Sequence, residues 1–268
     1  MLNLLIIAIV CFLASTLGPL CGIGGGVTIK PIVDSLGVMG MATTSFLSSL
    51  TVLTMSLSTL AQQGWARARH PERPATPYPP TALPLSIGAA TGGVAGKVVF
   101  NAISGSLGSA ETVGAIQAAV LFALSAAAIA YTLLRSRVST LHVAGAIPSA
   151  LIGAVTGAMW AFLGIGGGPF NLVILTLLFS EQTRAAARES ILIIAFSQVA
   201  SLVYTIASGS VPAFEPLMLV MMVAMAVAGS VAGKRIASRI TDRGTNVLYA
   251  LTLIVVMLLS ARNFLVLL

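Results

Sequence analysis

Apolar residues fill this chain in long unbroken runs, separated by short clusters of charge, glycine or proline, and they do not alternate with polar residues as strands would. The runs predict helices over 2–20, 24–36, 42–62, 81–102 and 111–134, then a second set over 142–163, 168–180, 184–207, 214–237 and 245–267. Most approach the roughly 20 residues that cross a bilayer; 24–36 and 168–180 fall short and read as half-helices. The only long polar connection is 62–80, rich in Pro and Arg, a loop and not a soluble domain.

The two sets repeat each other. Gly22-Ile23-Gly24-Gly25-Gly26 returns as Gly164-Ile165-Gly166-Gly167-Gly168. Ala42-Thr43-Thr44-Ser45 aligns with Ala187-Arg188-Glu189-Ser190, and Gly92-Gly93-Val94-Ala95-Gly96-Lys97 with Gly229-Ser230-Val231-Ala232-Gly233-Lys234. The chain therefore reads as a duplicated five-helix unit, 1–134 and 135–268. If every segment crosses, the loops at 62–80, 135–141, 180–184 and 235–244 share one side and hold most of the Lys and Arg, which makes that side cytoplasmic. Both termini then face away from the cytoplasm, and the odd count inverts the second copy. A re-entrant hairpin at each glycine run preserves that inversion; joining each pair of flanking segments into one broken spanning helix does not, and it separates the basic loops.

Composition fixes the class. Hydrophobic residues make up 57% and charged residues 8% of the chain, and mean hydropathy is +1.02. Such a chain cannot clothe a soluble surface, so the fold class is an all-α polytopic membrane protein with two inverted five-helix repeats. The net charge of +7 is concentrated in short loops, as in Arg67 and Arg69 or Lys234, Arg235 and Arg239, which excludes a nucleic-acid face. No Lys or Arg precedes Lys30, so the first segment reads as a retained helix, not a cleaved leader. Cys11 and Cys21 read as packing residues, and His70 and His142 lack partners at metal spacing; no metal or cofactor is expected, nor an enzyme.

Each glycine run stands directly before a short segment. A half-helix N-terminus buried in the membrane exposes unpaired N–H groups and a partial positive charge, a suitable seat for an anion. Gly24, Gly25 and Gly26 with Gly166, Gly167 and Gly168 are the candidate backbone donors; close helix packing is their alternative use. Lys30 is a lone cation in an apolar segment and is assigned a supporting role near the anion, against pairing with Asp34. Thr44, Ser45 and Ser190 are candidate hydroxyl donors beside Thr43, Ser48 and Ser49, while Asn171 follows the second run and Gln198 sits mid-helix. Glu189 is expected at the cytoplasmic surface beside Arg188 or Arg184, and becomes a proton carrier only if buried. Lys97 and Lys234 read as interfacial anchors at matched positions.

These glycine motifs, the Ala-Thr-Thr-Ser segment and the Gly-Gly-Val-Ala-Gly-Lys helix resemble the TauE/SafE family of membrane permeases over essentially the whole chain. The resemblance implies movement of a small sulfur oxyanion or organosulfonate, such as sulfite or a sulfoacetate-like compound, with the glycine positions carried over to Gly22, Gly24, Gly25 and Gly26 and to Gly164, Gly166, Gly167 and Gly168. The proline that often follows the motif is present as Pro31, whereas in the second copy Pro169 stands directly after the glycines. A secondary exporter is the leading expectation and a non-transporting membrane subunit the alternative. Protons as a coupling ion and a homo-oligomeric state stay open at this stage.

Overall fold

In the computed structural model, residues 2–70, 72, 77–106 and 110–267 are described, and they form ten α-helices with no strand among them. In chain order these are α1 (Leu2–Cys21), α2 (Gly26–Leu36), α3 (Met41–Arg69), α4 (Ala82–Ser106), α5 (Ala110–Leu134), α6 (Ala146–Leu163), α7 (Gly168–Leu178), α8 (Thr183–Ala207), α9 (Pro216–Ala237) and α10 (Asp242–Leu267). Eight are long and apolar enough to cross a membrane. The other two, α2 and α7, have 11 residues each, about 16 Å of helix, or half of a hydrocarbon core.

Several boundaries differ from expectation, and two of the differences have a visible cause. Gln62 to Arg69, expected as the start of the polar loop, continue α3, because no residue before Pro71 obliges the helix to stop. Conversely α6 begins at Ala146 instead of 142: the amides of Leu141 and Val143 donate to the carbonyls of Leu177 (2.9 Å) and Leu178 (2.7 Å), so this stretch ties the end of α7 in place of forming helix.

The connections gather at two ends of the bundle. At one end Lys234 donates to the Gln62 carbonyl, Arg188 to that of Pro77 and Arg184 to that of Ile240, while Arg135 reaches Thr183 Oγ1 at 2.8 Å. This is the basic end. At the other, Thr43 Oγ1 donates to the Ala213 carbonyl, and Gly114 packs against Met41 and Leu267.

Small residues let helices of the two halves touch backbone to backbone. A Cβ on Gly88, Gly92 or Gly96 of α4 would fall about 2 Å from the carbonyl oxygens of Ala150, Ala154 and Ala158 on α6. A Cβ on the corresponding Gly229 and Gly233 of α9 would fall 2.5 and 2.3 Å from the carbonyl oxygens of Phe12 and Thr16 on α1. The fourth helix of each set is thus seated on the first helix of the other.

Candidate functional site

Gly22 and Gly164 end α1 and α6 in the left-handed conformation, with φ of +67° and +68°, where a side chain is disfavoured. The chain then doubles back: Gly25 lies against Ala14, about two helical turns before the end of α1. Each glycine run is therefore the bend of a hairpin and not a kink within one spanning helix.

The two bends meet. Gly168 packs against the amide and carbonyl of Gly24, and Gly26 against the Ile165 carbonyl. From this contact α2 runs to the end holding Gly37 and α7 to the basic end, so the half-helices leave the centre in opposite directions with their N-termini together. All the glycines of both runs are buried. The amides of Gly24, Gly25, Gly26, Gly166, Gly167 and Gly168 have no acceptor among the described residues. Six unpaired donors inside a membrane protein are costly unless the site is built for an acceptor.

Side chains from other helices brace these bends in matching ways. Ser190 Oγ donates to the Gly22 carbonyl at 2.8 Å, and Ser45 Oγ lies beside Gly164. Lys30 also passes along Gly164; its ammonium donates to Asp34 Oδ2 at 2.8 Å and to Gln117 Oε1 at 3.1 Å, and the residue is 5% exposed. Pairing with Asp34 and placement beside the second run are thus both observed. Trp160 Nε1 donates to Asn171 Oδ1 at 2.8 Å, leaving Asn171 Nδ2 buried without an acceptor next to Gly167. The Gln198 amide lies beside Gly166, and its Oε1 has no donor. Thr44 is buried too, but its hydroxyl turns to the Gly40 carbonyl in the first turn of α3.

Gln117 and Trp160 were not anticipated. Gln117 joins Lys30 to the end of α6, since its Nε2 donates to the Phe162 carbonyl at 2.6 Å. Its signal in the sequence is an amide side chain within the apolar stretch 113–124 of α5. Lys97 and Lys234 differ in use: Lys97 stands 5.8 Å over the Phe100 ring, whereas Lys234 ties α9 to α3 by donating to the Gln62 carbonyl. The surface position expected for Glu189 is incorrect. It is 1% exposed with no donor to either carboxyl oxygen, because its place one helical turn beyond Arg184 already lies beneath the packed end of the bundle.

A cavity of about 250 Å³ descends from the weakly charged end to Lys30, between α2, the start of α5 and the end of α10. Its polar lining includes Lys30, Asp34, Gln117, Ser260, Arg262 and Asn263. A smaller cavity of about 120 Å³ occupies the corresponding place at the basic end, between α7, the start of α10 and the end of α5, and includes Arg135 and Tyr249. The closed glycine contact lies between the half-helices that line the two cavities. No group of His, Cys, Asp and Glu suited to a metal occurs among the described residues.

No curated protein and no solved structure matches the chain. The family model described as sulfite exporter TauE/SafE matches residues 7–261, a span that takes in both glycine hairpins, six of the eight helices of crossing length whole and most of the first and last. The chain is a multi-span membrane protein and belongs to the TauE/SafE sulfite exporter family.

Proposed function

We propose that the protein is a secondary transporter that exports a small sulfur-containing anion, sulfite or an organosulfonate, across the bacterial inner membrane. The observation that carries this reading is the set of six buried glycine amides without acceptors at the meeting of two helix N-termini. Such donors suit a compact oxyanion, and Asn171 Nδ2 supplies a further donor with no acceptor of its own. Sulfur in the anion is inferred from the family alone, since backbone amides read charge and size.

The halves 1–134 and 135–268 act as inverted repeats, with the basic end cytoplasmic and both termini periplasmic. The anion reaches the glycine bends through one cavity at a time, and the Gly24 to Gly168 contact is the barrier between them. Lys30, held by Asp34 and Gln117, draws the anion toward the bends from the periplasmic cavity, while Ser45, Ser190 and Gln198 hold the bends in shape. Export of an anion from an inside-negative cell is favoured by about 2.3 kcal/mol per charge per 100 mV, so net efflux requires no coupling ion.

The test is flux of labelled sulfite or sulfoacetate from liposomes containing the purified protein. Loss of flux on replacing Gly25 or Gly167 by valine, with the fold retained, is the expected result. Unchanged flux in both variants sinks the transport-site reading and leaves the glycines as packing residues.

A further inference from the structure

Glu189 stands apart from the anion site and is not used by the reading above. It lies on α8, is 1% exposed, and neither carboxyl oxygen has a donor. Its carboxyl faces that of Glu181, which precedes α8 and whose own Oε2 is buried without a partner. Arg188, the neighbouring cation, directs its guanidinium to the Pro77 carbonyl and over the Tyr78 ring at 4.7 Å. Tyr78 remains neutral, because burial raises its phenol above the ordinary range. Among the described residues, Glu181, Arg188 and Tyr78 are the titratable groups that interact with Glu189.

Two carboxyls offer only acceptors when both are ionised. Placed face to face in a buried setting, they satisfy one another only when one carries a proton and donates it. The missing donor in this pair is therefore a proton. The pair also has a mechanical link to the first hairpin. Ala187 and Ser190 flank Glu189 on α8; Ala187 touches Gly22, and Ser190 Oγ donates to the Gly22 carbonyl. Glu181 lies in the connection between α7 and α8, at the basic end, and is only partly buried.

We infer that Glu189 and Glu181 form a proton-binding site at the basic end, and that its loading sets the position of the Gly22 hairpin and so the rate of anion movement. Protonation removes the repulsion between the carboxyls and lets the start of α8 close on Gly22; deprotonation drives the pair apart and loosens that contact. The equivalent of Glu189 in the first half is Thr44, so the control is confined to one end. This inference rests on the proposed transport function.

Two measurements test it. Infrared difference spectroscopy of the detergent-purified protein during a pH titration reads the acid directly: a protonated-carboxyl band at neutral pH, absent in Glu189→Gln, is expected. Its absence from the wild type overturns the inference whatever the protein transports. In liposomes, labelled sulfite efflux from the wild type should vary with the pH on the Glu189 side by up to about tenfold per unit, the limit for one proton. Glu189→Gln should retain efflux and lose most of that dependence, and Glu181→Gln should shift its midpoint. Efflux with the same pH profile in wild type and Glu189→Gln overturns the proton site alone. No efflux from the wild type overturns the transport reading, with the infrared band still deciding whether the proton site exists. If Glu189→Gln fails to fold, Glu181→Gln carries both measurements, and an unmoved band and profile count against the inference.

Discussion

The hydroxyl of Ser190 donates to the carbonyl oxygen of Gly22 at 2.8 Å, across 168 residues of sequence. In the other half Ser45 Oγ approaches Gly164, the residue that corresponds to Gly22. Each hairpin bend is thus braced by a serine near the start of a helix from the opposite half. Ser190→Ala leaves a buried carbonyl without its donor and should cost about 1–3 kcal/mol. Thermal unfolding in detergent reads the loss, and sulfite efflux should slow with it. A variant with the wild-type midpoint and rate would show that the bond does not hold the hairpin.

A side chain at the bends themselves should act differently. Gly167 has φ of +91°, and a Cβ there would fall 2.6 Å from Trp160 Cδ1 and 3.0 Å from Asn171 Nδ2. Gly167→Ala should displace the Trp160 to Asn171 pair and reduce efflux at least tenfold. Indole fluorescence reports the displacement independently of flux, although Trp65 contributes a background that Trp65→Phe removes.

The Lys30 to Asp34 pair gives a double-mutant test. Its side chains are 6% and 17% exposed, so removing one partner strands a charge in a poorly hydrated place. Lys30→Met should destabilise by about 3 kcal/mol, and Lys30→Met with Asp34→Leu should recover most of it. Both variants should lose the attraction that draws the anion down the cavity, which appears as a raised KM for efflux. Equal stability of the single and double variants would remove the case for coupling.

Helix packing predicts a contrast between glycines. Gly92→Ala places a methyl 1.9 Å from the Ala154 carbonyl and should cost about 2–3 kcal/mol as α4 is pushed from α6. Gly64→Ala, within α3 and with nothing within 4 Å, should be neutral or stabilising by up to about 1 kcal/mol. Unfolding midpoints of the two variants check the sign of each.

Orientation is open to direct labelling. Ser210 and Ser238 are exposed at opposite ends of the bundle, and both native cysteines are fully buried. An impermeant maleimide added to intact cells should modify Ser210→Cys and spare Ser238→Cys until the membrane is opened. The reverse pattern would place the basic end outside.

The helices were legible because an apolar run bounded by charge or proline reports the membrane directly. The end of α3 was not, since Gln62 and Arg67 mark where the chain leaves an apolar medium and not where a helix must stop. The glycine bends were legible from their repetition, and the short segments after them from length alone. What escaped was the bracing. Nothing local tells Gln117 that it will meet Lys30, or Trp160 that it will hold Asn171, because these partners converge only when the hairpins fold back. Glu189 escaped for a related reason: its sequence neighbours Arg188 and Arg184 suggest a charged surface, whereas their side chains turn toward Pro77 and Ile240 and leave the acid inside.

The seating of α4 on α6 and of α9 on α1 changes what any conformational cycle has to move. Carbonyls pressed against glycines do not slide without large gaps opening, so each such pair travels as one rigid beam. One beam joins residues 82–106 to 146–163 and the other joins 216–237 to 2–21. The mechanical parts of the protein are therefore hybrids of the two sequence copies, and neither copy expressed by itself owns a complete one.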